Sequence, residues 1–121
     1  MPVKRILVVD DSPTERLALT ELLVKHGYTV LAAESGEESI AVAKRDQPDL
    51  ILMDVIMPGM NGYQATRTLT REEATRNIPV IMCTTRGQET DKIWGMRQGA
   101  HDYMVKPLDP ATLLAKIAAI G

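Results

Sequence analysis

The chain has 121 residues, enough for one domain that buries roughly two-thirds of its unfolded surface without disulfide or metal staples. With 45% hydrophobic and 25% charged residues it has an ordinary globular composition, and its single cysteine, Cys83, excludes an internal disulfide and fits a reducing, cytoplasmic compartment. The formal net charge of −2 gives no basic field for nucleic acid, and the apolar runs are too short for a signal peptide or a membrane span.

Residues 4–10, KRILVVD, read as a short apolar strand. Ser12, Pro13 and Glu15 then give a helix start, with Ser as cap and Pro at the first helical position. Ala18, Leu19, Leu22 and Leu23 supply an apolar face, and Gly27 ends that helix. A second strand is predicted over 28–33. Ser35 with Glu38 repeats the capping signature and opens a helix to about residue 45, with Ile40 and Ala43 inward. Strand three covers 50–53, helix three runs from Asn61-Gly62 to about 71, and strand four covers 78–83. A fourth helix is expected over about 88–98, with Ile93, Met96 and Ala100 on its buried stripe, Trp94 turned off that face and Gly95 loosening its interior. Strand five covers about 102–105, and Asp109-Pro110 caps a last helix carrying Leu113, Leu114 and Ile117.

Strict alternation of five strands and five helices, with strands one, three and four apolar on both faces, requires a parallel sheet covered by helices. Right-handed crossovers make it a doubly wound α/β fold, read as one domain over residues 1–121 with no output domain. Ligands in such sheets sit beyond the carboxyl ends of the strands, where strand order reverses. The polar residues fall there: Asp10-Asp11 after strand one, Asp54 after strand three, Thr84-Thr85 after strand four, and Lys106-Pro107 after strand five. Three carboxylates gathered at one rim repel one another, and one lysine cannot balance them. A hard divalent cation, Mg²⁺, can, held by Asp10, Asp11, Asp54 and a backbone carbonyl freed after strand three, that of Ile56. His26 and His101 lie outside this cluster, and Arg5, Arg16, Arg45 and Arg67 read as a scattered, solvated set.

Together, DDS at 10–12, MDVIMPGMNG at 53–62, TT at 84–85 and DYMVKP at 102–107 resemble the receiver domain of two-component response regulators, in order and in spacing. The resemblance implies a flavodoxin-like sheet of strand order 2-1-3-4-5. It implies that Asp54 takes a phosphoryl group from a phosphohistidine on a histidine kinase or phosphotransfer protein, with Asp11 a direct Mg²⁺ ligand and Asp10 its neighbour. It further implies that Lys106 contacts the phosphoryl oxygens, that Thr84 hydrogen-bonds them, that Tyr103 is the switch aromatic, and that Pro107 is cis. The face made by helix four, strand five and helix five is then expected to bind the downstream partner. Ile56 and Arg86 stand at two positions that tune phosphoryl lifetime in the family, and neither orients water as an acid or amide does, so a long-lived phosphoryl state is expected.

The stretch 78–107 is similar to single-domain regulators of type IV pilus twitching motility. A role as phosphate sink for a shared kinase is the alternative within this class. A haloacid-dehalogenase-type phosphohydrolase is a distant one, because that family carries a DxD nucleophile on strand one, where this chain has adjacent Asp10-Asp11.

Overall fold

The structure, a computed structural model, describes residues 2–121. Its elements follow in the order β1 (Arg5–Val9), α1 (Pro13–Lys25), β2 (Thr29–Ala33), α2 (Gly36–Asp46), β3 (Leu50–Asp54), α3 (Gly62–Arg71), β4 (Val80–Thr84), α4 (Glu89–Arg97), β5 (Asp102–Val105) and α5 (Pro110–Ile120). The strands form one parallel sheet in the order β2-β1-β3-β4-β5. Side chains that alternate along each strand feed two cores. Leu7, Val9, Ile51, Met53, Val80 and Met82 pack towards α2 and α3. Ile6, Val8, Leu50, Leu52, Ile81 and Cys83 pack on the other face with Leu23 of α1 and Leu113 and Ile117 of α5.

The helices start where the capping residues predict. Ser12, Ser35, Asn61 and Asp109 each accept a hydrogen bond from a backbone N–H three residues on, and Asn61 with Gln64 forms a reciprocal capping box. The apolar face predicted for α1 is only partly covered: Leu23 is buried and Leu19 and Leu22 are half-buried, while Ala18 is exposed.

Helix α4 departs furthest from expectation. Ile93 and Met96 are exposed, whereas Gly95 and Gln98 are buried and Asp91 is half-buried. Its inner face is therefore the row Asp91, Gly95, Gln98, polar and small, which hydrophobic periodicity does not detect. The role of Gly95 changes accordingly. A Cβ there would lie 2.8 Å from the Tyr103 ring and 3.0 Å from the Met82 sulfur. This glycine brings the helix axis down onto an aromatic ring, and its conformational looseness is secondary. Gly95→Ala, helix-favouring in isolation, is expected to destabilise the fold by about 1–3 kcal/mol through overpacking, read as a lower urea midpoint.

Candidate functional site

Strand register alone brings the charged residues together. Val9 pairs with Met53, so Asp10 and Asp54 emerge side by side from the two central strands. Asp54 pairs with Cys83, which places Thr84 one step beyond it on the adjoining strand. Thr84 pairs with Val105, so Lys106 leaves β5 at the same rim, its N–H donating to the Thr84 carbonyl at 2.7 Å. The Lys106-Pro107 peptide is cis.

Carboxylate oxygens of Asp10, Asp11 and Asp54 lie within 4.8 Å of one another. Asp10 and Asp54 are buried and Asp11 is exposed. The Lys106 ammonium donates to Asp10 Oδ2 at 3.0 Å and to Asp54 Oδ1 at 3.5 Å. It also donates to Glu15 Oε1 at 3.1 Å, a fourth carboxylate. Asp10 Oδ1 accepts from the Ser12 N–H and Asp54 Oδ1 from the Val55 N–H, both at 2.9 Å. Asp54 Oδ2 takes no hydrogen bond among the described residues.

Burial pushes the Asp54 carboxyl up to about 6; Lys106 pulls it down and the charge on Asp10 raises it further. Burial alone would lower the Lys106 ammonium, but its bonds to Asp10 and Glu15 and the charge of Asp54 reverse this and hold it above its ordinary value. The buried Cys83 thiol is pushed up to about 12 by desolvation and stays uncharged beside the site.

The rim therefore holds four carboxylates and one ammonium. All donors of the three-aspartate cluster are carboxylate oxygens, and an excess of negative charge stands against one half-buried lysine. That donor set suits a hard cation such as Mg²⁺ and does not suit a soft metal.

Composition and spacing single out Asp10, Asp11, Asp54, Thr84 and Lys106, and register places all five at one edge. The side chain of Ile56 is 54% exposed, projecting from the loop that follows Asp54. His26 sits at the end of α1, its ring nitrogen against the Leu22 carbonyl, and His101 lies at the start of β5, both off the rim. Glu15 and Arg16 were not among the residues the sequence singles out for the site. Arg16 is not part of a solvated face: its side chain is 16% exposed, donates to the Asp10 carbonyl at 2.7 Å and pairs with Glu34. Both residues lie in the first turns of the helix that Ser12 starts, a position that by itself points them at the end of β1.

Beyond the rim, Thr84 is fully buried and its hydroxyl oxygen accepts from the Arg86 N–H at 3.2 Å. Tyr103 is buried rather than turned to solvent, and its hydroxyl donates to the Arg86 carbonyl at 2.7 Å. Tyr63, on the inner face of α3, brings its hydroxyl to 3.3 Å from that of Tyr103 and 3.2 Å from the Asp91 carbonyl. Burial and the Tyr63 bond raise the Tyr103 phenol above its usual range. Two aromatic hydroxyls from opposite sides of the β4–α4 loop thus fasten that loop and the first turn of α4. Nothing local in the sequence marks the Tyr63 hydroxyl as engaged.

Residues 6–118 match the response regulator receiver domain family. The chain is 58% identical to Protein PilH of Pseudomonas aeruginosa over 116 residues, 96% of each chain. It is 42% identical over 117 residues to the phosphate regulon transcriptional regulatory protein PhoB of the same organism, covering 97% of this chain but 51% of that protein. Its fold matches the chemotaxis protein CheY4 of Vibrio cholerae with a TM-score of 0.91 at 32% identity, over 98% of this chain and 99% of the other.

Proposed function

The chain belongs to the response regulator receiver domain family, and from that premise we propose that it carries a phosphorelay signal by accepting a phosphoryl group on Asp54. One observation supports this above the others: Asp10, Asp11, Asp54 and Lys106, from three separate strands, meet at one rim. The donor is a phosphohistidine on a histidine kinase or phosphotransfer protein, and the setting is cytoplasmic. Among the described residues no helix is long and apolar enough to cross a membrane.

Asp54 Oδ2, free of hydrogen bonds among the described residues, supplies the electron pair that forms the new O–P bond as the P–N bond to histidine breaks. Its companion Oδ1 is pinned by the Val55 N–H, which orients the nucleophile. Phosphoryl transfer depends mostly on positioning and on neutralising charge around the moving group. Lys106, already within reach of Asp54, supplies a positive charge to the phosphoryl oxygens, and Glu15 and Asp10 hold the ammonium at that edge. Thr84, whose hydroxyl accepts but donates to nothing among the described residues, has its proton free for a phosphoryl oxygen. Asp10, Asp11, Asp54 and the main-chain carbonyl of Ile56 are the residues that would hold Mg²⁺. When bound, the ion neutralises charge on the transferring group and lets the carboxylates coexist.

The signal leaves through the loop after Thr84. Once Thr84 turns to a phosphoryl oxygen it releases the Arg86 N–H, and Arg86 also bears the carbonyl that Tyr103 holds. The adjoining face carries Ile93, Trp94, Met96 and Val105, all large, apolar and at least 40% exposed, which suits a docking partner. Ile56 and Arg86 offer no group to activate water, which supports a slowly decaying acyl phosphate. The narrower reading, a role in type IV pilus twitching motility, rests on the resemblance over 78–107 and is tested by co-purification with pilus motor components.

Incubation with a small phosphodonor and Mg²⁺ is expected to add the mass of one phosphoryl group to the intact protein and none to Asp54→Asn. An unmodified wild-type chain, or an adduct that persists in the variant, contradicts the assignment.

A further inference from the structure

At the opposite end of the sheet from the carboxylates lies a cleft of about 770 Å³, formed where α3 ends, where the chain enters β4 and where α4 turns into β5. Arg71, Arg76, Arg97, Asn77 and His101 line it, and among the described residues no acidic side chain does. Two nearby carboxylates are engaged elsewhere, Glu72 with Lys44 at 2.7 Å and Asp102 with Lys116 at 2.6 Å, and Glu73 is exposed and outside the lining. The three guanidiniums make no ion pair or hydrogen bond among the described residues.

Arg71 and Arg97 each stand in the last turn of a helix, where a cation complements the helix dipole. That role does not account for the group. The carbonyls such arginines would bond are already capped by hydroxyls: Leu69 O accepts from Thr75 Oγ1 at 2.6 Å, and Gln98 O from Thr70 Oγ1 at 2.7 Å. Arg76 belongs to neither helix. The Thr70 bond also ties the α3 and α4 walls together, so the cleft is held open in advance.

We propose that this cleft is a binding site for a small, multiply phosphorylated anion. Three guanidinium forks drawn from separate segments match the planar, bidentate geometry of phosphate oxygens. The volume lies within the roughly 300–1,000 Å³ of small-molecule sites. Among the described residues no Phe, Tyr or Trp lines the cleft, and its charge is that of three guanidiniums, so phosphates provide the main recognition. The site shares no residue with the carboxylate rim, and an occupant bridging Arg71 and Arg97 would link α3 to α4.

Calorimetric titration with inorganic tripolyphosphate, in chelator and at low salt so that the carboxylate rim cannot recruit it through a metal, tests this. Binding is expected, with amide shifts confined to residues 70–77 and 97–101. In the double variant Arg76→Gln/Arg97→Gln it should weaken about tenfold or more, at a urea midpoint close to that of the wild type because both side chains are exposed. Absence of heat and shifts in the wild type, equal affinity in the double variant, or tighter binding of a glutamate-rich peptide than of tripolyphosphate would each overturn the proposal.

Discussion

Gly62→Ala is expected to be strongly destabilising, with a loss of about 3 kcal/mol or more and a much lower urea midpoint. A Cβ at this position would overlap the Asp54 carbonyl oxygen and lie 2.8 Å from the Val55 Cα, both backbone atoms with no rotamer into which to retreat. Ordinary overpacking costs about 1–3 kcal/mol because side chains yield, and here there is no side chain to yield. The close approach exists because the loop from Val55 to Asn61 folds back on itself, and the Gly62 N–H closes it on the Val55 carbonyl at 2.9 Å. That closure lets an all-buried strand end in a carboxylate: the backbone after Asp54 turns away at once and leaves the side chain at the rim. Urea unfolding measures the loss, and a fully stable Gly62→Ala would show that the loop relaxes by another path.

Asp54→Asn is expected to stabilise the metal-free protein by about 2 kcal/mol at pH 7.5, while removing the proposed phosphoryl acceptor. The Asp54 carboxyl sits at about 6 in the folded chain against 3.8 for an unhindered aspartate, chiefly through burial. A raised carboxyl opposes folding when ionised. The penalty is full above pH 6, shrinks as pH falls from 6 towards 3.8, and is absent below, where both states are protonated. A shift of this size bounds the gain at about 3 kcal/mol, because each unit corresponds to about 1.36 kcal/mol. The amide keeps an oxygen for the Val55 N–H, so little is lost in exchange. Urea midpoints of both proteins in chelator should therefore differ at pH 7.5 and converge near pH 4. Added Mg²⁺ should raise the wild-type midpoint and narrow the gap, and a variant less stable than wild type at pH 7.5 would contradict the electrostatic account.

The sheet and its rim were legible in the sequence because the same residues specify both. Leu50 to Met53 must be inside on both faces, so the next polar residue, Asp54, can only stand at the strand's end, and the same holds for Asp10 and Lys106. Register then follows from the parallel pairing, and the site with it. Helix α4 was not legible, because its inward row of Asp91, Gly95 and Gln98 is defined by the Tyr103 ring beneath it, which lies in a later strand. Tyr63 and Arg16 escaped for a related reason. Each contributes a polar group to a partner remote in sequence, Tyr63 to Tyr103 and Arg16 to Glu34, and a one-dimensional pattern records what a residue is but not which distant atom it meets.

The layer formed by Tyr63, Tyr103, Arg86 and Asp91 has a further property that follows from counting hydrogens. Two phenolic protons serve three oxygen–oxygen contacts, and the Tyr103 proton is committed to Arg86. The Tyr63 proton is left to divide itself between the Asp91 carbonyl and its sister phenol. If the Arg86 carbonyl departs, the orphaned Tyr103 hydrogen finds a ready acceptor in the neighbouring ring oxygen, so the latch can let go of one end without leaving a donor stranded in the dark of the core.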